Sequence, residues 1–261
     1  MTRRPAATLP ARSGWRGAAG APNFGDMTAI GTRVGSVDWT AVADALDARG
    51  YATAPGLLAP VECQALRSLY GRDEAFRSRV LMARHGFGRG EYKYLRYPLP
   101  PPVEALRQAV YPHLAPIAQR WREALKEAGR FPAALDDYLA QCHAAGQTRP
   151  TPLILKYGAE DYNCLHQDLD GDRVFPLQMT VLLSDPRDFA GGEFLLVEQR
   201  PRMQSKGEVV PLREGEAVIF AVHHRPVRGS RGIYRVNQRH GVSRVISGER
   251  YTLGVIFHDA A

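Results

Sequence analysis

From Pro152 to the end of the chain, short apolar runs rich in β-branched residues alternate with clusters of Gly, Asp, Asn, Pro and Arg. Runs of this kind bounded by turn residues predict β-strands, and a series of them is typical of an all-β sandwich or barrel. The pattern restricts the fold more than any other feature of the sequence. The predicted strands are Leu153–Tyr157, Leu177–Leu183, Glu193–Val197, Glu208–Pro211, Ala217–Val222, Gly241–Val245 and Arg250–Phe257.

The first half of the chain predicts helices instead. Asp38 can cap a helix that runs through about Ala48, and Gly50 then ends it. Residues 72–97 are arginine-rich and irregular apart from a candidate strand at their end. We therefore expect an α+β protein with a mainly β core, in which an N-terminal helical layer packs outside a β-sandwich. The predicted helices begin at Asp38, at Ala59-Pro60, at about Val103 with bends at Pro112 and Pro116, and at about residue 132.

Composition predicts the domain boundaries and the compartment. Residues 1–34 are rich in Ala, Gly, Pro and Arg, and predict a disordered leader. We expect a single domain over residues 35–261, with the helical layer at about 35–150 and the β core at about 151–258. The three cysteines have no paired spacing, and no apolar stretch reaches the roughly 18 residues of a membrane span. We therefore expect a cytoplasmic protein without a membrane segment.

The clearest chemical motif is Leu165-His166-Gln167-Asp168. Residues i and i+2 of a strand share a face, so His166 and Asp168 can converge on one ion while Gln167 points away. One imidazole and one carboxylate are two of the three ligands of a facial triad for ferrous iron. Taken alone, the motif also fits a turn capped by His166 that leads into the Asp-rich loop 168–172. Cys164, two residues before His166, is expected to be a small core residue.

The C-terminal segment offers a third ligand and an anion-binding group. His240 is followed by a turn at Ser247-Gly248 and then, ten residues after the histidine, by Arg250. A hairpin of this length can place His240 and Arg250 at the same mouth of a sandwich. The guanidinium can then form a bidentate pair with a carboxylate. Taken alone, Arg250 is equally explained as a surface residue of a strand.

His223 and His224 compete with His240 for the position of third ligand. Adjacent residues on a strand point to opposite faces, so at most one of the two can enter the cavity. The spacing to Arg250 favours His240 over both of them.

The pattern formed by His166, Asp168, His240 and Arg250 resembles that of the 2-oxoglutarate and Fe(II)-dependent dioxygenase superfamily, over about residues 150–258. The resemblance implies a double-stranded β-helix, a jelly-roll variant, which agrees with the strand pattern. It also implies that the two histidines and the aspartate bind Fe(II), that Arg250 binds the 5-carboxylate of the co-substrate 2-oxoglutarate, and that dioxygen is the oxidant.

Two branches of the superfamily share features with this chain. The stretch before His166 is similar to AlkB-type nucleic-acid demethylases, in which a tyrosine at the position of Tyr157 contacts 2-oxoglutarate. Those enzymes carry a second arginine where this chain has Ile256. The ten-residue step from His240 to Arg250 is similar to prolyl-hydroxylase-type oxygenases, which usually carry lysine at the second position. The run from Gly191 to the C-terminus resembles a bacterial oxygenase family with a proposed role in oxidative demethylation of damaged DNA.

The resemblance implies oxidative demethylation of alkylated nucleobases in DNA or RNA, a DNA-repair activity. The alternatives are hydroxylation of a prolyl residue or small molecule, and a non-enzymatic jelly-roll binding protein. The formal charge of +7 favours an acidic partner such as nucleic acid. Residues Tyr92–Tyr97 are expected to stack on a base or to pack in the core. The arginines expected to meet phosphates, or else to form a solvated basic face, are Arg200, Arg202, Arg225, Arg228, Arg231, Arg235 and Arg239.

Overall fold

Short strands joined by tight turns dominate a computed structural model that describes residues 24–169 and 171–261. The helices are α1 Thr28–Gly35, α2 Trp39–Arg49, α3 Pro60–Leu69, α4 Pro101–Ala124 and α5 Leu135–Ala144. The strands are β1 Tyr51–Ala54, β2 Phe76–Leu81, β3 Gly88–Arg89, β4 Glu91–Leu95, β5 Leu153–Tyr157, β6 Tyr162–His166, β7 Leu177–Leu182, β8 Phe189–Gly191, β9 Phe194–Gln199, β10 Lys206–Val210, β11 Ala217–Ala221, β12 His224–Gly229, β13 Gly232–Val242, β14 Val245–Gly248 and β15 Arg250–Val255.

The strands form two main antiparallel sheets. The larger sheet has the order β1-β11-β7-β15-β5-β4-β2. The smaller sheet has the order β10-β9-β13-β6-β3, and β12 pairs with β13 beside it. Strands β8 and β14 form a separate two-stranded ribbon. This architecture confirms the predicted α+β class with a jelly-roll core.

Strand β7 shows how the larger sheet separates the hydrophobic core from the side of the cavity. Leu177, Met179 and Val181 are buried in the core that the helices share, whereas Gln178 and Thr180 line a cavity on the other face. This alternation follows from the two-residue period of a strand. The sheet therefore has one apolar face that binds the helical layer and one face that carries polar groups.

The residues predicted to begin and end α2, and to begin α3, do so in the structure. The Asp38 carboxylate accepts a hydrogen bond from the Ala41 amide at 3.0 Å, and Gly50 ends α2 in the left-handed region with φ of +80°. Helix α3 begins at Pro60, and α4 runs from Pro101 to Ala124 with two prolines inside it. Among the described helices there is none with the length and apolarity that a bilayer crossing requires.

The predicted leader is too long at its C-terminal end. Residues 28–35 form α1, and Phe24, Ile30 and Val34 are buried in the hydrophobic core. These few apolar residues lie among glycines and arginines, so the composition of the segment predicted disorder and gave no sign of the helix. The rest of the predicted leader, residues 1–23, lies outside the described residues. The assignment of residues 35–261 to a single domain stays a prediction.

The division into a helical first half and a β second half is also wrong in part. Strand β4 was partly expected, but β2 and β3 lie in a segment that was predicted to be irregular. Strand β2 is at the edge of the larger sheet, and Ser78 interrupts the apolar face that Phe76 and Val80 share. An edge strand with one solvated face gives only a weak sequence pattern. The two sheets therefore contain strands from both halves of the chain.

A buried network of charged groups connects helix α4 to the C-terminal residues. Arg107 of α4 is fully buried and donates to the carbonyls of Ile256 and His258, at 2.8 and 3.2 Å. Its guanidinium also lies 2.9 Å from the buried carboxylate of Asp259. Breaking a buried pair leaves an uncompensated charge, which costs about 3–5 kcal/mol.

We expect Arg107→Gln to lower the free energy of unfolding by about 3–5 kcal/mol, because the Asp259 carboxylate then stays buried without its main cation. Urea denaturation measures the loss. Arg120→Gln on the same helix is the matched control, since the Arg120–Asp47 pair is half exposed and should contribute less than about 1 kcal/mol. Equal losses in the two variants would contradict the assigned role of Arg107.

Candidate metal centre and cavity

The three predicted ligands are brought together by the pairing of β6 with β13. His166, the last residue of β6, is the register partner of His240 in β13. Residues directly opposite each other in an antiparallel pair share a face, so both imidazoles lie on the same side of the smaller sheet. Asp168 follows two residues after His166, beyond the end of the strand.

The geometry of the three side chains fits a metal ion. The Asp168 carboxylate lies 3.3 Å from Nε2 of His166 and 3.4 Å from Nε2 of His240. The two imidazole centroids are 4.2 Å apart. One ligand atom from each of the three residues lies within 4.8 Å of the others. Within the described residues, this is the group of His, Cys, Asp and Glu side chains that could hold an ion.

The hydrogen bonds and charges prepare the nitrogen atoms for this role. Nδ1 of His166 donates to the Cys164 carbonyl at 2.8 Å, so Nε2 is the nitrogen that faces Asp168. Burial lowers the pKa of His166, but the hydrogen bond to the Asp168 carboxylate and its charge outweigh the burial and raise it, and a bound cation would displace the proton. Burial and the nearby His166 lower the pKa of His240, so its imidazole is held neutral. Burial opposes ionisation of Asp168, but the hydrogen bonds from the two histidines outweigh it and hold its pKa well below the usual range. A neutral imidazole and an ionised carboxylate are the forms that bind cations.

Gln178 orients the carboxylate, and the sequence analysis missed it. Its Nε2 donates to Oδ2 of Asp168 at 2.9 Å, and the residue is buried in β7 of the larger sheet. The signal that could have found it is a single amide in the middle of an otherwise apolar strand. A buried polar side chain needs a partner, and here the partner is the carboxylate.

Gln167 has a structural task next to the ligands. Its Nε2 donates to the carbonyls of His223 and Gln238, at 3.0 and 2.8 Å. These bonds connect the loop that carries Asp168 to β13 and to the residue before β12.

A cavity of about 370 Å³ lies between the two sheets and joins all five predicted site residues. This volume is within the range of small-molecule sites. His166, Asp168 and His240 line it from the smaller sheet and its loop, and Arg250 and Tyr157 line it from the larger sheet.

Arg250 is a buried cation that faces this cavity. It is 2% exposed, and its Nη1 has no hydrogen-bond partner. Within residues 24–169 and 171–261, no carboxylate lies at ion-pair distance from its guanidinium; the rings of Tyr157 and Phe189 flank it at 5.8 and 5.9 Å. Burial lowers the pKa of Arg250 to about 10, so the group stays protonated at neutral pH.

Two neighbours shape the surroundings of Arg250. Tyr157 is its register partner on β5, is fully buried, and accepts a hydrogen bond from Asn163 at 3.3 Å. Gly192 has φ of +67°, and a Cβ at this position would lie 2.8 Å from Cδ of Arg250. The Gly191-Gly192 pair is therefore more than a turn, because its second glycine leaves the space that the arginine side chain occupies.

The competing histidines lie outside the triad. His223 and His224 contact each other through their Nδ1 atoms at 2.7 Å, and Nε2 of His224 lies 3.2 Å from Glu127. Cys164 differs from its prediction, because it is exposed and lines the cavity instead of packing in the core. The adjoining strand β3 is too short to cover it.

The predicted phosphate-binding arginines have several different environments. Arg225 is buried and donates to the Asp47 and Ala48 carbonyls and to Glu198. Arg200 also pairs with Glu198, and Arg235 pairs with Glu127. Three of the seven therefore have internal partners. Arg202, Arg228, Arg231 and Arg239 are exposed, and their contact with phosphate stays a prediction.

The aromatic stretch at residues 92–97 is divided between two tasks. Tyr92 and Tyr94 line the cavity. The Tyr97 hydroxyl instead donates to Asp259 at 2.9 Å and accepts from Arg107 at 3.0 Å.

Comparisons with known proteins agree with this site. Residues 90–260 match the model of a family described as an oxygenase catalysing oxidative methylation of damaged DNA. An uncharacterized protein of Mycobacterium tuberculosis is 56% identical over 165 residues, which are 63% of this chain and 71% of that protein.

Solved structures with similar folds are more distant in sequence. The non-haem α-ketoglutarate-dependent epimerase SnoN from nogalamycin biosynthesis superposes with a TM-score of 0.51 at 16% identity, over 83% of this chain and 80% of that one. A prolyl-4-hydroxylase of Pseudomonas putida has a TM-score of 0.47 at 14% identity, over 83% and 96% of the two chains.

The jelly roll and the His-Asp-His group in its cavity fit an oxygenase with a metal centre, and residues 90–260 match the oxygenase family model. The family match extends over more than half of the sequence. The chain belongs to this family of oxygenases described as acting on damaged DNA.

We expect Gln178→Leu to weaken Mn²⁺ binding about 10–100-fold, because the Asp168 carboxylate loses the amide that orients it. Isothermal titration with Mn²⁺ measures the affinity. Thr180→Val is the matched control, since Thr180 lies two residues further on the same face of β7, and the side-chain amide bonded to Asp168 belongs to Gln178 instead. Unchanged Mn²⁺ affinity in Gln178→Leu would show that the carboxylate needs no support from the larger sheet.

Proposed function

We propose that this protein uses Fe(II), 2-oxoglutarate and dioxygen to demethylate alkylated nucleobases by oxidation. In this proposal His166, Asp168 and His240 hold the iron. Arg250 binds the distal carboxylate of 2-oxoglutarate, and Tyr157 forms the wall beside it.

The buried guanidinium of Arg250 is the observation that carries the proposal. A buried charge is costly unless it is paired, and this one faces a cavity without a carboxylate at ion-pair distance among the described residues. A ligand carboxylate would supply the missing anion in a bidentate pair. The far end of such a ligand would meet the His-Asp-His group, because both line one cavity. A keto acid with a second carboxylate has the required chemistry at both ends.

The donor set fits ferrous iron. Two imidazole nitrogens and one carboxylate form the facial arrangement that leaves other coordination positions open. The buried Nδ1 of His240 has no hydrogen-bond partner among the described residues, and its Nε2 lies 3.4 Å from Asp168, so Nε2 is the nitrogen that would bind the metal. Bound there, the iron supplies the activation of dioxygen for oxidation of a C–H bond.

The chain contributes orientation and exclusion of water. Leu153, Leu155, Val242 and Ile256 give the cavity apolar walls. Water-excluded walls strengthen the attraction between Arg250 and a carboxylate, since the effective dielectric constant is low. Thr180 and Thr252 are buried on the same walls, where their hydroxyls can bind polar atoms of a co-substrate.

The family description and the charge of the chain support a nucleic-acid substrate. The family is described as acting on damaged DNA, and the formal charge of the chain is +7. In the proposed reaction, one oxygen atom of dioxygen enters a C–H bond of an N-methyl group. The other enters succinate, as 2-oxoglutarate loses carbon dioxide. The N-hydroxymethyl product then releases formaldehyde and the restored base.

We expect Asp168→Ala to reduce Fe(II)-dependent succinate release from 2-oxoglutarate to background, because one of three proposed metal ligands is lost. The release is measured without any further substrate. Asp172→Ala is the matched control, because Asp172 is an exposed aspartate close to Asp168 in the chain. Full turnover by Asp168→Ala would refute the proposed metal site.

We expect Arg250→Met to raise KM for 2-oxoglutarate about 10–100-fold, because the charge-assisted hydrogen bonds to the carboxylate are lost. Steady-state kinetics of succinate release give KM. Without 2-oxoglutarate the variant should be at least as stable as the wild type, since it removes a buried unpaired charge. Added 2-oxoglutarate should raise Tm in the wild type and much less in the variant.

Arg244→Gln is the control for the Arg250 variant, because Arg244 is exposed and pairs with Glu160. An Arg250→Met enzyme with unchanged KM would mean that another group binds the distal carboxylate.

The substrate class is tested by stimulation of 2-oxoglutarate decarboxylation. Methylated single-stranded oligonucleotides should stimulate it and release formaldehyde, whereas proline-rich peptides and free amino acids should not. If peptides stimulate decarboxylation and oligonucleotides do not, prolyl hydroxylation becomes the assigned activity and nucleobase demethylation is refuted. Binding of these molecules without any succinate release would favour a non-enzymatic binder.

A further inference from the structure

The loop at residues 84–90, here termed the mouth loop, borders the cavity and takes no part in the chemistry described above. We propose that this loop recognises the nucleic acid: Phe87 stacks on the target base, and Arg89 and Arg84 bind flanking phosphates. The inference rests on the proposed function, because it names the part of the chain that would hold the substrate of that reaction.

The register of β3 and β6 places Phe87 beside the metal centre. Gly88 and Arg89 pair with Asn163 and Tyr162, and the Cys164 amide donates to the Phe87 carbonyl at 2.9 Å. Phe87 therefore lies opposite Cys164, which shares a strand face with His166 two residues further on. In agreement with this, Phe87 lines the same cavity as the two histidines.

Phe87 is also strongly exposed for an aromatic side chain. It is 47% exposed, and Leu165 and Leu169 at the same cavity are 43% and 50% exposed. Apolar side chains clustered in this way at a concave site are typical of a binding surface. The His85 ring stacks on Phe87 with a centroid distance of 5.3 Å and an interplanar angle of 24°. A planar ligand that enters the cavity beside Phe87 would cover exposed apolar surface at its mouth.

The backbone of the mouth loop presents few side chains. Gly86, Gly88 and Gly90 all have positive φ, and a Cβ at Gly88 would lie 2.4 Å from the Tyr162 carbonyl oxygen. Between these glycines the loop carries only Phe87 and Arg89. Phe87 lines the cavity, and Arg89 is exposed next to it in the chain, after Gly88.

The charge of the loop selects an anionic ligand. Arg84 and Arg89 are exposed, and residues 84–90 contain no acidic residue. The ion pair of Arg89 with Asp161 is long, at 3.9 Å, and 58% of the Arg89 side chain is accessible. An aromatic platform next to exposed arginines has the composition of a single-stranded nucleic-acid site, where bases stack and phosphates pair with cations. A prolyl peptide would use the apolar surface and leave the cations without partners.

Fluorescence anisotropy with the full chain tests the stacking. The probe is a short labelled single-stranded oligonucleotide with one N-methylated adenine. Phe87→Ala should weaken binding about tenfold, and Phe87→Trp should bind within about twofold of the wild type, because stacking tolerates any aromatic ring. The matched control is Val61→Ala, an exposed apolar residue on α3 that should bind as the wild type does. Wild-type affinity in Phe87→Ala would overturn the proposal.

Salt dependence tests the phosphate contacts. Arg89→Gln should lower the slope of log K against log salt by about 0.7, the value for one phosphate contact with a single strand. Arg239→Gln is the control, because Arg239 is an exposed arginine of the same sheet that precedes His240 and so points to the opposite face. If Arg239→Gln lowers the slope of log K against log salt and Arg89→Gln does not, the nucleic acid binds the outer face of the sheet. That result would refute the proposed role of the mouth loop.

These binding experiments are separate from the test of the proposed function. Affinity is measured without turnover, so an enzyme that releases no succinate would refute the proposed function while the Phe87 and Arg89 comparisons still decide the role of the loop. Tight binding of a proline-rich peptide that Phe87→Ala weakens, with no binding of the oligonucleotide, would overturn the nucleic-acid assignment.

Discussion

The antiparallel pairing of β6 with β13 is the interaction on which the site depends. It places His166 directly opposite His240, so two residues far apart in sequence come within bonding reach of one ion. A shift of one residue in this register would turn one imidazole to the other face of the sheet. The bonds of Gln167 to the His223 and Gln238 carbonyls support the register, because they connect the loop that follows β6 to β13 and to the residue before β12.

The second constraint is that the site is shared between two sheets. The metal group belongs to the smaller sheet, whereas Arg250, Tyr157 and Gln178 belong to the larger one. The bond from Gln178 to Asp168 joins the two halves. Packing of the helices on the far face of the larger sheet therefore supports the site indirectly, because it fixes the strands that carry the anion-binding and orienting groups.

Several elements could be predicted because their signals are local. Asp38 and Gly50 begin and end a helix through bonds to their own neighbours, and the strands after Pro152 alternate with turn residues. Other elements could not be predicted. Strand β2 has a solvated edge that masks its pattern, and the core contacts of Ile30 and Val34 are made with residues distant in sequence. The exposure of Cys164 likewise depends on how little of β6 the neighbouring strand β3 covers.

By itself the sequence determined the chemical identity of the site: two imidazoles, one carboxylate and one guanidinium, at spacings that local strand and hairpin geometry can use. Only the tertiary structure decided that Arg250 is buried with its Nη1 unpartnered among the described residues, that Gln178 orients Asp168, and that Phe87 borders the cavity. The physical reason is the range of the interactions. Ligand type and two-residue spacing are properties of a short segment, whereas burial and cross-sheet contact arise when distant strands pack.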